Sequence, residues 1–337
     1  MTGSITRAAV VGGGYMGGGI AATIAGAGVP CVLIDIDPAT SRRRVGELLA
    51  ESRDWVDKGL LDAAEADVVA ANLIAGDGIE ESLDGVNFII EAVPEVLELK
   101  HSTLARVSAA AHPEAIIASN TSTLPIGTLA ESVTGPERFL GCHWMNPSRL
   151  IPGVEIIPSV HTVESATAAA TDFHRHVGKR PTTISDVPAF IANRLQHALF
   201  AEALKLVDEG VATPEVVDEV SRNSFGYRLA AFGPFEVADM AGLDVYQACL
   251  QTESAAYGDR FASTPLLEER VDAGDLGLKN GSGITPLASH DPQRVSAIRN
   301  QYFRGLTALL DSIDGLEDLR SAPAKSAPTP ATDDTSA

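Results

Sequence analysis

The chain has 337 residues, 45% of them apolar, which is enough for two domains that each bury a core. Its 45 acidic residues outnumber 25 basic ones, and the formal charge of −20 repels nucleic acid and anionic membranes. No apolar run approaches the roughly 20 residues that a membrane helix needs, and the N-terminus lacks the pattern of a signal peptide. These features predict a cytoplasmic protein with neither nucleic-acid nor membrane partners.

Short apolar strands alternate with helices in the first half of the chain. The predicted strands are residues 8–12, 31–35, 86–93, 115–120, 138–144 and 153–159. The predicted helices are residues 16–27, 39–58, 63–72 and 98–111. Such alternation is typical of an α/β domain with a doubly wound parallel sheet, here predicted over residues 1–186.

The pattern becomes helical after Asp186. Apolar residues recur at helical spacing through residues 189–210, and Gly210 ends this long helix, with Pro188 expected in its first turn. An all-helical C-terminal domain is therefore predicted over residues 187–318. The last segment, residues 319–337, has almost no large apolar residue and is predicted to be disordered.

The three cysteines are scattered along the chain, at Cys31, Cys142 and Cys249. Their spacing suits neither a disulfide framework nor a metal site. We expect all three to be small buried residues, and we expect no bound metal.

A glycine-rich loop follows the first predicted strand. Gly12, Gly14 and Gly17 form G-x-G-x-x-G at the start of a helix. The first glycine permits a tight turn, the second lets the backbone approach a pyrophosphate, and the third lets helix and strand pack closely. Asp35 ends the second strand 18 residues after the last glycine, where an acid accepts hydrogen bonds from the adenosine ribose. The context predicts a Rossmann-type dinucleotide-binding domain.

The acidic residue also predicts which dinucleotide binds. A carboxylate at Asp35, with Asp37 close by, repels the 2′-phosphate of NADP. The run Arg42–Arg44 is a competing sign, but it starts about two helical turns later and is typical of a solvated helix face. NAD is therefore the predicted cofactor.

A histidine and a glutamate lie on two neighbouring predicted strands. Glu155 follows His143 by twelve residues, and Pro147 and Pro152 make a turn between them, so the two side chains should meet. A histidine paired with a carboxylate is suited to exchanging a proton with an alcohol or ketone. The pair alone leaves two interpretations open: a catalytic base with its orienting acid, or a core histidine with a polar partner.

Several motifs, in one order, resemble the 3-hydroxyacyl-CoA dehydrogenase family over about residues 7–285. They are GGGYMGGGIA, EAVPEVLELK, SNTSTLPI, HWMNP with VEII, FIANRL and GPFEVADMAGLD. The resemblance implies NAD-dependent, reversible oxidation of a 3-hydroxyacyl-CoA to the 3-ketoacyl-CoA, a place in fatty acid metabolism, and a homodimer joined through the helical domain. It thus implies a small-molecule substrate.

The resemblance also implies residue roles. His143 is the general base, Glu155 its orienting acid, Ser122 a donor to the substrate oxygen, and Asn193 a ligand of the substrate carbonyl. The implied cofactor-binding set is Gly12, Gly14, Tyr15, Met16, Gly17, Asp35, Glu95, Lys100, Asn120, Ser122 and Asn146. Each polar member also has a structural interpretation, for example as a loop cap or a turn residue.

The substrate is left open by departures from the family pattern. Pro152 and Gly153 precede the glutamate where the thioester enzymes carry Lys and Leu, and this form looks more like members acting on small free acids, such as carnitine, gulonate and pyridine-carboxylate dehydrogenases. Lys58 resembles the family's coenzyme-contacting lysine but has acidic neighbours. The alternative partner for a free substrate carboxylate is one of three arginines, among which the sequence does not choose: Arg149, Arg194 or Arg228. A redox-silent NAD-binding protein is the remaining alternative.

Overall fold

The computed structural model describes residues 5–316, so the predicted disordered tail at 319–337 lies outside the described residues. The described part divides into two compact units, the first ending at Ala201 and the second beginning at Glu202. None of the described helices combines the length and the hydropathy required to cross a membrane.

The first unit is built on one sheet. Within residues 5–316 its strands have the spatial order β3-β2-β1-β4-β5-β6-β7-β8, and neighbours run parallel except the β6–β7 pair. The strands are β1 (Ala8–Val11), β2 (Cys31–Ile34), β3 (Leu73–Ala75), β4 (Phe88–Glu91), β5 (Ile116–Ser119), β6 (Phe139–Trp144), β7 (Gly153–Pro158) and β8 (Arg180–Thr183). The α/β fold prediction is confirmed, but the sequence patterns missed the two outer strands β3 and β8.

Helices cover both faces of this sheet and then dominate the chain. Those of the sheet unit are α1 (Tyr15–Gly26), α2 (Pro38–Asp57), α3 (Ala63–Asn72), α4 (Ile79–Ser82), α5 (Leu97–Ala110), α6 (Ile126–Ala130) and α7 (Glu164–His176). Those that follow are α8 (Ala192–Asp208), α9 (Pro214–Asn223), α10 (Gly226–Leu229), α11 (Pro234–Ala241), α12 (Leu243–Tyr257), α13 (Pro265–Asp272) and α14 (Pro292–Asp311).

The core lies on both faces of the sheet. Strands β1, β2, β4 and β5 are buried along their whole lengths, as expected for parallel strands covered by helices on two sides. One apolar cluster joins the sheet to α1 and α7, and the other joins it to α5 and α6. The order of the strands reverses between β1 and β4, which is where open α/β sheets bind ligands beyond the strand ends.

The start of α8 corrects one prediction. The helix begins at Ala192, so Pro188 is not in its first turn. Residues 188–191 form a turn in which Ala189 and Phe190 have φ values of 62° and 54°. This backbone is incompatible with a helix, and it inserts the fully buried Phe190 side chain into the core of the first unit.

The second unit is helical and is tied together by a buried aspartate. Asp239, on α11, accepts hydrogen bonds from the backbone N–H groups of Ile284 and Thr285 at 2.9 and 2.7 Å, and from the Thr285 hydroxyl at 2.6 Å. Segments 45 residues apart in sequence thereby meet. Cys249 on α12 is exposed, which corrects the expectation for that cysteine, because the outer face of α12 is uncovered; Cys31 and Cys142 are buried in the sheet.

Candidate active site

The glycine loop has no room for side chains at Gly12 and Gly17, which pack against the protein, but it is open at Gly14. Gly12 has a φ of 106°, and a Cβ atom on Gly17 would lie 1.9 Å from the Gly12 carbonyl oxygen. Gly14 caps α1, and a Cβ there would meet nothing within 4 Å. The helix start is thus accessible, and its free N–H groups and positive dipole end fit the pyrophosphate of a dinucleotide.

Asp35 lies against this loop at the end of β2. Its Oδ2 atom accepts a hydrogen bond from the Gly13 N–H at 2.9 Å, and its Oδ1 atom accepts one from the Ile36 N–H at 2.7 Å. The carboxylate is half-buried, so it keeps lone pairs for ribose hydroxyls. Asp37 accepts from the Thr40 N–H as the N-cap of α2. The glycine loop and Asp35 therefore meet the requirements of an NAD site.

The other residues expected to bind the cofactor at the glycine loop differ in their exposure to solvent. Tyr15 is largely exposed, whereas Met16 packs against the core and its carbonyl accepts a hydrogen bond from the Ser148 hydroxyl. Arg44, at the end of the arginine run, donates from Nε to the Gly13 carbonyl at 2.6 Å. It therefore braces the glycine loop instead of belonging to a fully solvated helix face.

Glu95 organises the loop after β5. Its Oε1 atom accepts hydrogen bonds from the hydroxyl of Thr121 and from the backbone N–H groups of Ser122 and Thr123, at 2.6, 2.9 and 3.0 Å. Burial opposes ionisation, but these hydrogen bonds and the charge of Lys100 outweigh it and lower the pKa of Glu95 to about 2. Glu95 is therefore ionised and positions Ser122.

Lys100 is almost completely buried, with 1% of its side chain exposed. Its ammonium group donates to Glu91 Oε1 at 2.9 Å and to the Val93 carbonyl at 3.1 Å, and lies 3.3 Å from Glu95 Oε2. With its three donors engaged inside the protein, Lys100 supports the loop through Glu95, and the geometry gives it no direct bond to a cofactor. Glu91, a charged residue inside an apolar strand, was missed from sequence.

The amide side chains expected in the cleft also have structural partners. Asn120 is buried and accepts a hydrogen bond from the Trp144 N–H at 2.9 Å, so it links β5 to β6. Asn193, in the first turn of α8, donates to the Ser122 carbonyl at 2.9 Å. Asn146 is exposed in the turn that follows His143. Ser122 is half-buried, and its backbone carries the contacts to Glu95 and Asn193.

His143 and Glu155 meet in the antiparallel β6–β7 pair. They are direct cross-strand partners, and His143 Nδ1 lies 2.8 Å from Glu155 Oε2. Because a carboxylate accepts hydrogen bonds, Nδ1 carries the proton and Nε2 is left with a lone pair. Both residues are buried, and the Phe190 ring packs 5.4 Å from the imidazole centroid. The arrangement can take a proton from a hydroxyl group and return it.

The second carboxylate oxygen of Glu155 holds the start of α8. Oε1 accepts hydrogen bonds from the N–H groups of Ile191 and Ala192 at 3.1 and 2.9 Å. Burial tends to raise the pKa of Glu155, but the hydrogen bonds from His143 and Ala192 outweigh it and lower that pKa. One ionised side chain thus orients the imidazole and caps the helix that carries Asn193.

Behind β6 lies a polar cluster that sequence patterns did not reveal. Trp144 Nε1 donates to His174 Nε2 at 3.1 Å, and His174 Nδ1 donates to the Ala170 carbonyl at 2.7 Å. Because Nε2 must keep its lone pair to accept from Trp144, this arrangement requires neutral His174, and burial lowers the pKa of His174 to about 4. Lys179 donates to the carbonyls of Ser148 and Ile151 at 2.6 and 2.8 Å, which holds the turn between the dyad strands. No spacing rule predicts such contacts.

Lys58, the expected coenzyme contact, is exposed at the end of α2. Its ammonium group forms an ion pair with Asp54 at 2.7 Å, one helical turn away. Its position remains compatible with a ligand contact, but that contact would have to compete with Asp54. Across residues 5–316, no group of three or more His, Cys, Asp or Glu side chains is arranged to hold a metal ion.

Fold and site together define a class: an NAD-binding oxidoreductase with a Rossmann-type domain followed by a helical domain. Two protein-family models match the chain. The model of the 3-hydroxyacyl-CoA dehydrogenase NAD binding domain matches residues 7–187, and the model of the 3-hydroxyacyl-CoA dehydrogenase C-terminal domain matches residues 190–286. The chain belongs to the 3-hydroxyacyl-CoA dehydrogenase family. It is an NAD-dependent dehydrogenase that acts on CH–OH groups, as predicted.

The relatives include enzymes named for two kinds of substrate. The chain is 32% identical over 317 residues to a 5-formyl-3-hydroxy-2-methylpyridine 4-carboxylate 5-dehydrogenase from Mesorhizobium japonicum, covering 93% of this chain and 100% of that one. It is 31% identical to a 3-hydroxybutyryl-CoA dehydrogenase from Bradyrhizobium diazoefficiens, covering 84% and 96%. The solved 3-hydroxyacyl-CoA dehydrogenase from Archaeoglobus fulgidus has a TM-score of 0.75 at 26% identity, covering 91% and 99%.

Proposed function

We propose that the protein oxidises a 3-hydroxyacyl-CoA reversibly to the 3-ketoacyl-CoA, with His143 as the general base and Glu155 as its orienting acid. The observation that carries this proposal is the buried 2.8 Å contact between His143 Nδ1 and Glu155 Oε2 in an NAD-binding domain. Bound NAD supplies the hydride acceptor. His143 Nε2 takes the hydroxyl proton, and the nearby carboxylate stabilises the imidazolium that results.

The neighbouring polar residues complete this proposal. Ser122 donates a hydrogen bond to the reacting oxygen, and Asn193 helps to place the substrate carbonyl. Support comes from the Asn193–Ser122 hydrogen bond at 2.9 Å and from the Glu155 cap on α8, which connect both residues to the dyad. Asp35, Gly14 and the start of α1 bind the dinucleotide, and Glu95 and Lys100 act by shaping the Ser122 loop.

The test is replacement of His143 by Ala, with consumption of NADH and acetoacetyl-CoA followed by absorbance. We expect turnover to fall by roughly 10²–10⁴, because in this reductive direction the carbonyl oxygen that becomes the hydroxyl loses its proton donor, while NADH binding measured by calorimetry stays near the wild-type value. His161→Ala, at an exposed histidine, is the matched control. Wild-type turnover in the His143 variant would remove this residue as the base.

A second candidate is the same chemistry on a small free hydroxy acid or a hydroxymethyl or formyl aromatic carboxylate. Two observations favour it: the Lys58 ammonium is paired with Asp54, and the relative matched over its whole length is named for a free pyridine carboxylate. A panel of acetoacetyl-CoA, small keto acids and aromatic aldehyde acids, each with NADH, separates the candidates. Signal with the thioester alone selects the first, and signal with free acids alone selects the second.

We also propose a homodimer assembled through the helical domain, in a cytoplasmic protein without nucleic-acid or membrane partners. Support for the dimer comes from α8, since none of its seventeen described residues is buried although its sequence is rich in leucine. Support for the lack of polyanionic partners comes from the net charge of −20.

A further inference from the structure

A small pocket lies in the first unit beside the glycine loop, with a volume of about 290 Å³. It is bounded by α1, by α2 and by the turn that follows His143. The residues that matter below are Arg44, Glu51, Trp55, Ser148 and Arg149. Neither the sheet core nor the dyad uses this pocket, and its size suits a small organic acid.

Arg149 is the unusual member of its lining. Nine-tenths of its side chain is buried, and its guanidinium stacks 4.0 Å from the centroid of the Trp55 ring. Its Nη1 atom is buried and makes no hydrogen bond to any residue that the structure describes. The nearest carboxylate oxygen, on Glu51, is 3.7 Å away, which is too long for a hydrogen bond. A buried donor of this kind costs free energy unless an acceptor is supplied.

The turn that carries Arg149 is held rigidly from the other side. Buried Lys179 donates to the Ser148 and Ile151 carbonyls, on either side of Arg149, and lies 5.0 Å from the Trp144 ring centroid. The guanidinium is therefore fixed by a stacked ring and by a clamped backbone, and it is preorganised to receive an anion. By contrast, Arg194 and Arg228, the other arginines considered for a carboxylate, are exposed.

We propose that Arg149 and Trp55 form the binding site for the carboxylate of a small free-acid substrate. That the anion is part of the substrate rests on the second candidate function, the same dehydrogenase chemistry on a small free acid. Arg149 is in the same turn as Pro147, six residues after His143, so the pocket is lined by the turn that directly follows the strand that carries the base. The exposed Glu51 carboxylate at the rim admits a single negative charge far better than the several phosphates of a coenzyme.

The test measures binding without turnover, by quenching of tryptophan fluorescence. The chain has two tryptophans, and Trp55→Phe identifies the signal that comes from the pocket. Benzoate is the probe, and the uncharged benzamide is its isosteric control. We expect saturable quenching by benzoate alone, a Kd raised at least tenfold by Arg149→Met and less by Arg149→Lys, and no change with Arg42→Met, a control at an exposed arginine of α2.

A second variant keeps the proposal open to refutation if Arg149→Met fails to fold. Glu51→Gln removes the competing carboxylate, so it should tighten benzoate binding several-fold. Equal affinity for benzoate and benzamide would overturn the proposal. So would a benzoate affinity that neither Arg149→Met nor Glu51→Gln changes. Quenching by inorganic phosphate or coenzyme A but not by benzoate would also overturn it, in favour of a phosphate site.

The two proposals fail in different ways. If no compound in the panel causes NADH to be consumed while benzoate binding depends on Arg149, the proposed dehydrogenase substrates are wrong and the anion site stands. If a free acid is turned over and Arg149→Met leaves its KM unchanged, the anion site fails and the dehydrogenase function stands. A tenfold or larger rise in KM with kcat nearly unchanged is the result expected from the proposal.

Discussion

The chemistry proposed for this protein depends on how single polar groups are paired inside it. Glu95, Glu155 and Lys179 each have more than one partner, and each holds a loop or helix start that bears on the site. A carboxylate or ammonium group that is buried needs such partners to offset the loss of hydration. The positions of the polar side chains around the dyad therefore depend mainly on their hydrogen bonds.

Asp35 provides a prediction about cofactor choice. Replacing it by Ala removes an acceptor for the ribose hydroxyls and the partner of the Gly13 N–H, so NADH affinity should fall by about 10- to 100-fold. NADPH affinity should fall less, because the variant no longer repels the 2′-phosphate. Calorimetric titration with both cofactors checks this, with Asp77→Ala as a control at an exposed aspartate. Equal weakening of the two would refute the assignment of Asp35.

His174 provides a prediction about pH. Its pKa is about 4 in the folded protein and about 6.5 in an unfolded chain. Below pH 6.5 the unfolded chain therefore binds more protons, so stability present above pH 6.5 should be lost as the pH falls towards 4. The loss should approach roughly 3 kcal/mol. Urea unfolding between pH 7 and 4.5 measures it.

The control for this pH effect is a pair of glutamine variants. His174→Gln keeps an acceptor for Trp144 without a titrating group, so its stability should depend less steeply on pH than that of the wild type. His161→Gln, at an exposed histidine, should retain the wild-type slope. A slope unchanged by His174→Gln would show that other groups cause the acid instability.

At the scale of elements, the antiparallel β6–β7 pair and the start of α8 meet at one carboxylate. The hairpin brings His143 and Glu155 face to face, and the left-handed turn at Ala189 and Phe190 brings the last N–H group of the turn and the first N–H group of α8 to the same side chain. Glu155 therefore connects a strand pair, a helix start and a base. The two roles of this side chain can be separated by substitution.

Glu155→Gln should impair catalysis more than stability. Its amide oxygen can still accept from the α8 N–H groups, but its NH₂ group then faces His143 Nδ1 and favours the tautomer with the proton on Nε2. That tautomer cannot accept the substrate proton, so turnover in the direction of hydroxyl oxidation by NAD should fall by roughly 10²–10⁴. The free energy of unfolding should change by less than about 1 kcal/mol.

Glu155→Ala is the comparison for this prediction. It removes the helix cap as well, so it should cost about 1–2 kcal/mol more in the free energy of unfolding than Glu155→Gln. Turnover and urea unfolding of both variants provide the measurement. Equal stability of the two variants would mean that the carboxylate does not cap α8.

At the scale of the whole molecule, the two units are stabilised differently. The first has a continuous apolar core on both faces of its sheet, whereas in the second no described residue of α9, α10 or α13 is buried. Helix α8, which spans the boundary at Ala201, has no buried residue either. Leu195, Leu199 and Phe200 are among the large apolar side chains left exposed on α8. Apolar surface of this extent is typical of an interface between chains.

The proposed dimer predicts a mass in solution of twice the 35.2 kDa chain. Light scattering after size exclusion should give this value for the wild type. Leu199→Asp combined with Phe200→Asp should shift it to the single-chain mass, because charge is introduced into the buried interface. Val160→Asp, at an exposed valine of the first unit, should leave the dimer intact. A wild-type protein with the single-chain mass at micromolar concentration would contradict the proposal.

The sequence by itself determined the fold class, the NAD loop and the pairing of His143 with Glu155. These depend on local signals: apolar runs of strand length, glycines where the backbone turns, and two residues on strands joined by a short turn. The predicted first and last residues of α1, α2, α3 and α5 agree with the structure to within a residue or two, since each helix repeats its apolar pattern over several turns.

Only the tertiary structure decided the start of α8, the burial of Lys100, the second role of Glu155 and the lack of a hydrogen-bond partner at Arg149 Nη1. Phe190 leaves the helical backbone because its side chain fills the core beside His143, and Lys100 turns inward because the carboxylates of Glu91 and Glu95 meet its ammonium group there. The Glu155 contacts to the start of α8 join residues 36 and 37 positions apart. Their free energy depends on burial and on partners that no local pattern of residues records.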